Sequence, residues 1–162
     1  MKYTLHLTLI AFMILCLPTA SMAQSSVKPI QIAVWHPVQI YDSETSIHGI
    51  RFNLFYGVNQ DILGLDIGLV NKVKGDMTGL QDGVVNLVDG NVTGWQDGCV
   101  NIVKGNTVGL QTGLFNSTND IKGVQLGVVN ITETLYGLQI GIVNINNSGD
   151  PFKFLPIVNF SF

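Results

Sequence analysis

Charge is scarce in this chain: Lys, Arg, Asp and Glu together make up 12% of its 162 residues, about half the usual share. Eight basic residues against eleven acidic ones leave a net charge of −3, which excludes both a nucleic-acid footprint and an acidic solvating tail. Cysteine is limited to Cys16 and Cys99, histidine to three residues and arginine to Arg51. So few thiols exclude a disulfide scaffold. What is abundant is glycine, at 18 residues, and apolar side chains, at 46%. That combination excludes a disordered segment and an ordinary charged helical bundle.

Residues 1–23 carry one early basic residue, Lys2, then an apolar stretch at 5–17, Pro18, and the small-residue sequence Ser21-Met22-Ala23. This is the pattern of a cleavable export signal. The apolar stretch is shorter than the ~20 residues that a spanning helix needs. Cys16 follows Met13-Ile14-Leu15 rather than the small residues that precede a lipidated cysteine. Cleavage after Ala23 leaves residues 24–162 as one domain with Cys99 as its only thiol. Cys99 fills a slot that other repeats fill with Leu, Val or Ile, and is expected to be a small core hydrophobe.

The rest of the chain aligns on itself. Octets of the form G-h-Q-x-G-h-h-N start at Gly64, Gly79, Gly94, Gly109, Gly123 and Gly137 and end on Asn71, Asn86, Asn101, Asn116, Asn130 and Asn144. The asparagines step by 15, 15, 15, 14 and 14 residues, and a further step of 15 reaches Asn159. The third position holds Gln81, Gln96, Gln111, Gln125 and Gln139. A degenerate copy starts at Gly49. Two fixed glycines per unit destroy any helical apolar period, and Val, Ile, Thr and Asn favour extended chain. Turn pairs recur at Asp82-Gly83 and Asp97-Gly98, and again at Gly75-Asp76, Gly90-Asn91 and Gly105-Asn106. Each unit therefore reads as two strands of about five residues joined by two corners.

The leading fold is an all-β, short β-solenoid of 14–15-residue coils. Fifteen residues give a contour of roughly 50 Å per coil, and successive coils stack ~4.8 Å apart. In-register stacking places the asparagines above one another, and the glutamines likewise, so that their amides form structural ladders. Glycine at positions one and five supplies positive φ or close backbone approach. Aromatic-rich caps flank the array: 24–48 forms an N-terminal cap segment, 49–150 the repeats and 151–162 a capping strand. Pro156 in the last unit discourages pairing with another chain. An antiparallel meander and an outer-membrane barrel are the alternatives. The barrel is prompted by the alternating Phe152, Phe154, Val158, Phe160 and Phe162, but Asp82, Asp97 or the glutamines break any apolar lipid face of the ~9–11 residues a membrane strand needs.

No residue set earns a catalytic, cofactor or metal assignment. His36 and His48, with Asp42 or Glu44, lack tight ligand spacing; Asp82 and Asp97, with Asp66 nearby, suit turns as well as a cation. Lys72, Lys74, Lys104 and Lys122 read as solvated spacer charges. Ser117 and Ser148 have no histidine partner in the repeat frame. The adjacent apolar pairs at positions six and seven, such as Val84-Val85 and Leu114-Phe115, put one residue of each pair outside unless the chain bends there. They form either an exposed docking stripe or a corner that turns both residues inward.

The G-L-Q-x-G-L-V-N array, the approach segment at 48–54 (His-Gly-Ile-Arg-Phe-Asn-Leu) and the ending at 154–159 (Phe-Leu-Pro-Ile-Val-Asn) resemble a family of bacterial exported surface-repeat proteins of unknown activity. The resemblance implies a surface or envelope location and transfers no catalytic residue. The pattern Q-x-G-x-x-N, as in Gln81, Gly83 and Asn86, is similar to the repeat core of curlin, whose alternating alanine and second glutamine have no counterpart here. The expected protein is a non-enzymatic exported module, structural or adhesive, at the cell surface, outer-membrane-associated or periplasmic. Its expected partner is a protein, an envelope surface or a membrane, with no nucleic acid and no small-molecule substrate. An integral outer-membrane barrel and a carbohydrate-acting β-helix enzyme are the second and third readings.

Overall fold

The structure is a computed structural model that describes residues 27–162. The expected export signal at 1–23, with Cys16, lies outside the described residues, as does the start of the 24–48 segment. The described chain is all-β and winds as a solenoid of about 6 turns, not a barrel. Its strands are β1 (Val27–Trp35), β2 (Val38–Gln39), β3 (Ser46–Asn59), β4 (Ile62–Val73), β5 (Met77–Val88), β6 (Val92–Asp97), β7 (Val100–Val103), β8 (Thr107–Asn146) and β9 (Phe154–Ser161). Successive coils pair in parallel with like on like: Gly64 with Gly79, Asn71 with Asn86, Gln81 with Gln96 and Asn101 with Asn116. A meander is thereby excluded.

Four inward positions per coil build the core. In the second clear repeat they are Met77, Gln81, Asn86 and Val88, all buried, and the neighbouring coils offer Ile62, Asp66, Asn71 and Val73 or Val92, Gln96, Asn101 and Val103. Two of the four columns are apolar and two are amide. The apolar pair forms a continuous cluster from Ile47 to Val103, against which Tyr41 packs. Below it Thr107 and Thr118 replace the aliphatic pair and share a hydroxyl hydrogen bond of 2.9 Å, so neither buried hydroxyl is left unpaired.

The two corners per coil need correcting to three. The first repeat glycine turns the chain with φ near +130°, for instance +127° at Gly79 and +134° at Gly94. The second lies at positions five to seven. The third is the turn that starts at Lys74, Asp89 or Lys104. The Asp-Gly pair at position five does not interrupt pairing in β5, because Gly83 stays in register with Gly68. A coil is therefore one long strand of 12 residues in β4 and β5 rather than two of five, whereas the next coil does divide at Gly98-Cys99 into β6 and β7, of 6 and 4 residues. In the later coils the strand runs unbroken through 40 residues as β8. Among the clear repeats coil length changes at the third corner: three residues separate Val88 from Val92, whereas two separate Thr118 from Ile121. The degenerate first coil instead carries one extra residue at its second corner, between Asn53 and Tyr56.

The C-terminal strand also departs from expectation. Asn159 does not extend the asparagine column by another parallel step; β9 reverses and pairs antiparallel with β8, setting Asn159 opposite Gln139. Asn146 directs the reversal, its side chain donating to Asp150 O at 2.7 Å and accepting from Ser148 Oγ.

Candidate functional site

Inside the rod, the amides bond along the axis. Asn53, Asn71, Asn86, Asn101, Asn116, Asn130 and Asn144 form one row, each Nδ2 donating to the next Oδ1 at 2.8–2.9 Å. From Asn71 to Asn130 the second Nδ2 hydrogen reaches a backbone carbonyl of the following coil, as from Asn86 to Asp97 O at 2.8 Å. The row ends on Leu155 O of β9. At its beginning, Asn53 Oδ1 is buried with no partner among the described residues.

The glutamine row runs the other way. Gln139 Nε2 donates to Gln125, Gln125 to Gln111, Gln111 to Gln96 and Gln96 to Gln81, at 2.7–2.9 Å. Gln81 then donates to Asp66 Oδ2 at 2.7 Å. Asp66 fixes this direction, since a carboxylate only accepts, so every glutamine behind it must offer its hydrogens toward the N-terminal end. Arg51, in the same column, donates Nε and one terminal nitrogen to the two oxygens of Asp66, both at 2.7 Å, with both side chains fully buried. This fork-on-fork pair is the site that sequence reading missed. Asp66 belongs to it and not to a corner cation site; the available signal was the spacing of 15 that puts Arg51 in the glutamine slot of the degenerate copy.

Outside the rod the chemistry is inverted. Position two carries Leu80, Trp95 and Leu110; position six carries Leu69, Val84 and Leu114, of which Leu114 is 60% exposed. Position seven is half-buried at Val85, Val100 and Phe115. Neither member of the six-seven pair enters the core, because the second corner falls between them: in one coil Leu114 N and Phe115 N both donate to Cys99 O. Cys99, at position six, is therefore exposed rather than a core hydrophobe. Between positions four and six a shallow groove of about 720 Å³ runs along the axis over Gly68, Gly83, Gly98 and Gly113, walled by Leu54, Leu69, Val84 and Leu114 on one side. A Cβ on Gly83 would lie 2.5 Å from Gly68 O and from Asn71 Nδ2, so the asparagine row requires this glycine.

Charged groups gather at the third corner. Asp89 sits between Lys72 and Lys104, at 2.5 and 2.7 Å, and Glu44 pairs with Lys74. Three of the four spacer lysines are thus ion-paired rather than merely solvated. The hydrogen bond from Lys104, then that from Lys72, holds the Asp89 carboxyl below its ordinary range, and Lys74 does the same for Glu44. Asp97 accepts the Thr112 hydroxyl, which in turn accepts Trp95 Nε1 at 2.9 Å. His36 stacks edge-on against Tyr56, while His48 is exposed on β3. Among the described residues no group of three or more His, Cys, Asp or Glu is placed to hold a metal ion. No protein-family model, no curated protein and no solved structure matches this chain.

Proposed function

We propose that the chain is an exported, non-enzymatic β-solenoid of the bacterial envelope, a rigid module whose outward apolar sides are its interaction surface. One observation carries the reading: two of the four inward columns are amides, while large aliphatic and aromatic side chains stand outside in rows along neighbouring coils, more than solubility alone favours. Leu69, Val84, Trp95 and Leu114 are each more than two-fifths exposed and belong to neighbouring coils of one array. The non-enzymatic part is supported by the occupation of the charged groups, with Asp66 committed to Arg51, Asp89 to two lysines and Glu44 to a third. Export is supported by residues 1–23 and by the surface-repeat resemblance.

The test is expression of the full chain in a bacterium with two membranes, followed by fractionation and N-terminal mass analysis. The expected product starts at Gln24 and appears in the envelope or periplasmic fraction. A chain that retains Met1 and stays in the cytosol would overturn the reading.

A further inference from the structure

The outward sides raise the question of what they meet. Resting on the reading above, we propose that they dock onto the hydrocarbon of a lipid bilayer, with the solenoid axis lying along the membrane surface and the charged third corner turned to water.

Shape is the first argument. The outward apolar side chains of the repeats crowd two adjoining sides, one bearing Leu80, Trp95 and Leu110 and the other Val85 and Phe115, with the rim of Val84 and Leu114 where the sides meet, while the third side mixes Leu63, Val108 and Tyr136 with Thr78, Thr93 and Lys122. A rigid partner, such as a second copy, covers one side of such a ridge at a time. A fluid phase covers both.

Hydrogen bonding is the second. Hydrocarbon accepts only backbone whose N–H and C=O groups are satisfied internally. Here the residues of both sides are in parallel register with the coils above and below, Leu80 between Leu65 and Trp95, Val85 between Val70 and Val100. The unpaired edges lie at the two ends of the rod, not along it.

Charge is the third. At outward positions two, four, six, seven and nine of the clear repeats the only charged residues are Lys72, which is paired with Asp89, and Asp82 and Asp97; Lys74, Lys104, Asp76 and Asp89 sit at the far corner. With eleven acidic residues against eight basic ones, of which Lys2 leaves with the export signal, attraction to anionic lipid does not drive docking, so buried apolar area must. Uncharged lipid should therefore serve, and salt should matter little.

The experiment is co-flotation of the purified chain, in the form the cell exports, with phosphatidylcholine vesicles at low and high salt. The chain is expected to float in both. The triple substitution Val84→Ser, Leu114→Ser and Ile142→Ser, at rim positions outside the core, should cut the bound fraction by about tenfold with unchanged circular dichroism. Asp82→Asn with Asp97→Asn should strengthen binding, which keeps the test decisive if the triple variant misfolds. With Trp35→Phe, Trp95 is the sole tryptophan and its emission should move to the blue on vesicle addition. Failure to float, flotation only on anionic vesicles and lost in salt, weaker binding of the double Asp variant, or an unmoved Trp95 each overturns the proposal. So does a discrete dimer that ignores vesicles, which would make a second copy the occupant. None of these results touches the location of the exported chain, which fractionation decides separately.

Discussion

Asn101 donates one hydrogen to Asn116 Oδ1 and one to Thr112 O, and accepts from Asn86, all at 2.8 Å and all buried. Asn101→Ala orphans a donor above and an acceptor below, and should cost about 2–5 kcal/mol in urea denaturation, since each buried group left unpaired costs about 1–3 kcal/mol. Arg51→Ala should cost about 3–5 kcal/mol by leaving the Asp66 carboxylate buried without its counter-charge. Adding Asp66→Gln and replacing Arg51 by Gln instead of Ala continues the glutamine row upward, and should recover most of the loss. The rows were legible in the sequence because in-register stacking turns a spacing of 15 directly into proximity. The exposure of Cys99 was not. Which way position six points depends on a bend between two apolar residues of the same kind, and neither residue type marks it.

At the scale of the element, the glycine corners and the closing strand are the vulnerable parts. Gly94 has φ +134° and a Cβ there would sit 2.0 Å from Gly79 O, a backbone atom held by the stack. Gly94→Ala should therefore lose at least about 2 kcal/mol, combining an unfavourable dihedral with a clash that cannot relax, and a lowered thermal midpoint would show it. Strand β9 covers the β8 edge from Gly137 to Ile145. Removing residues 150–162 should bare that edge and give concentration-dependent association in sedimentation, because an unpaired strand edge is a template for another chain. The strand's existence could be read from its alternation. Its direction could not, because Ile157-Val158-Asn159 repeats the motif of the parallel coils, while the reversal is set by Asn146 and Ser148 in a segment without repeat signature.

For the molecule as a whole, stability should be modular and acid-sensitive. Deleting residues 92–106 removes one complete coil and brings Gln81 under Gln111 and Asn86 under Asn116. The shortened chain should fold with a lower midpoint and the same circular dichroism, as nearest-neighbour arrays do. The pH dependence follows from Asp89 and Glu44, whose carboxyls lie below their ordinary values of 3.8 and 4.5 in the folded state. A lowered folded value means the ion pairs stabilise fully above the unfolded pKa and lose that contribution as pH falls through the folded one. Melting midpoints should decline below about pH 4, and Lys104→Gln should flatten part of that decline. The apolar exterior was half-visible in the sequence as the paired hydrophobes, but only the third corner's placement shows that the ion pairs of Asp89 and Glu44 gather away from the six-seven rim.

The variable length of that third corner has a practical meaning. Native coils already differ there by one residue without disturbing any inward column, so a foreign peptide spliced between Lys104 and Asn106 would hang from the rod while the amide rows stay in step. The same splice at the second corner, at Gly83, would sever both the asparagine row and the backbone stack. The molecule thus offers a ruled shaft with one permissive edge, along which tags or epitopes can be mounted at intervals set by the coil spacing.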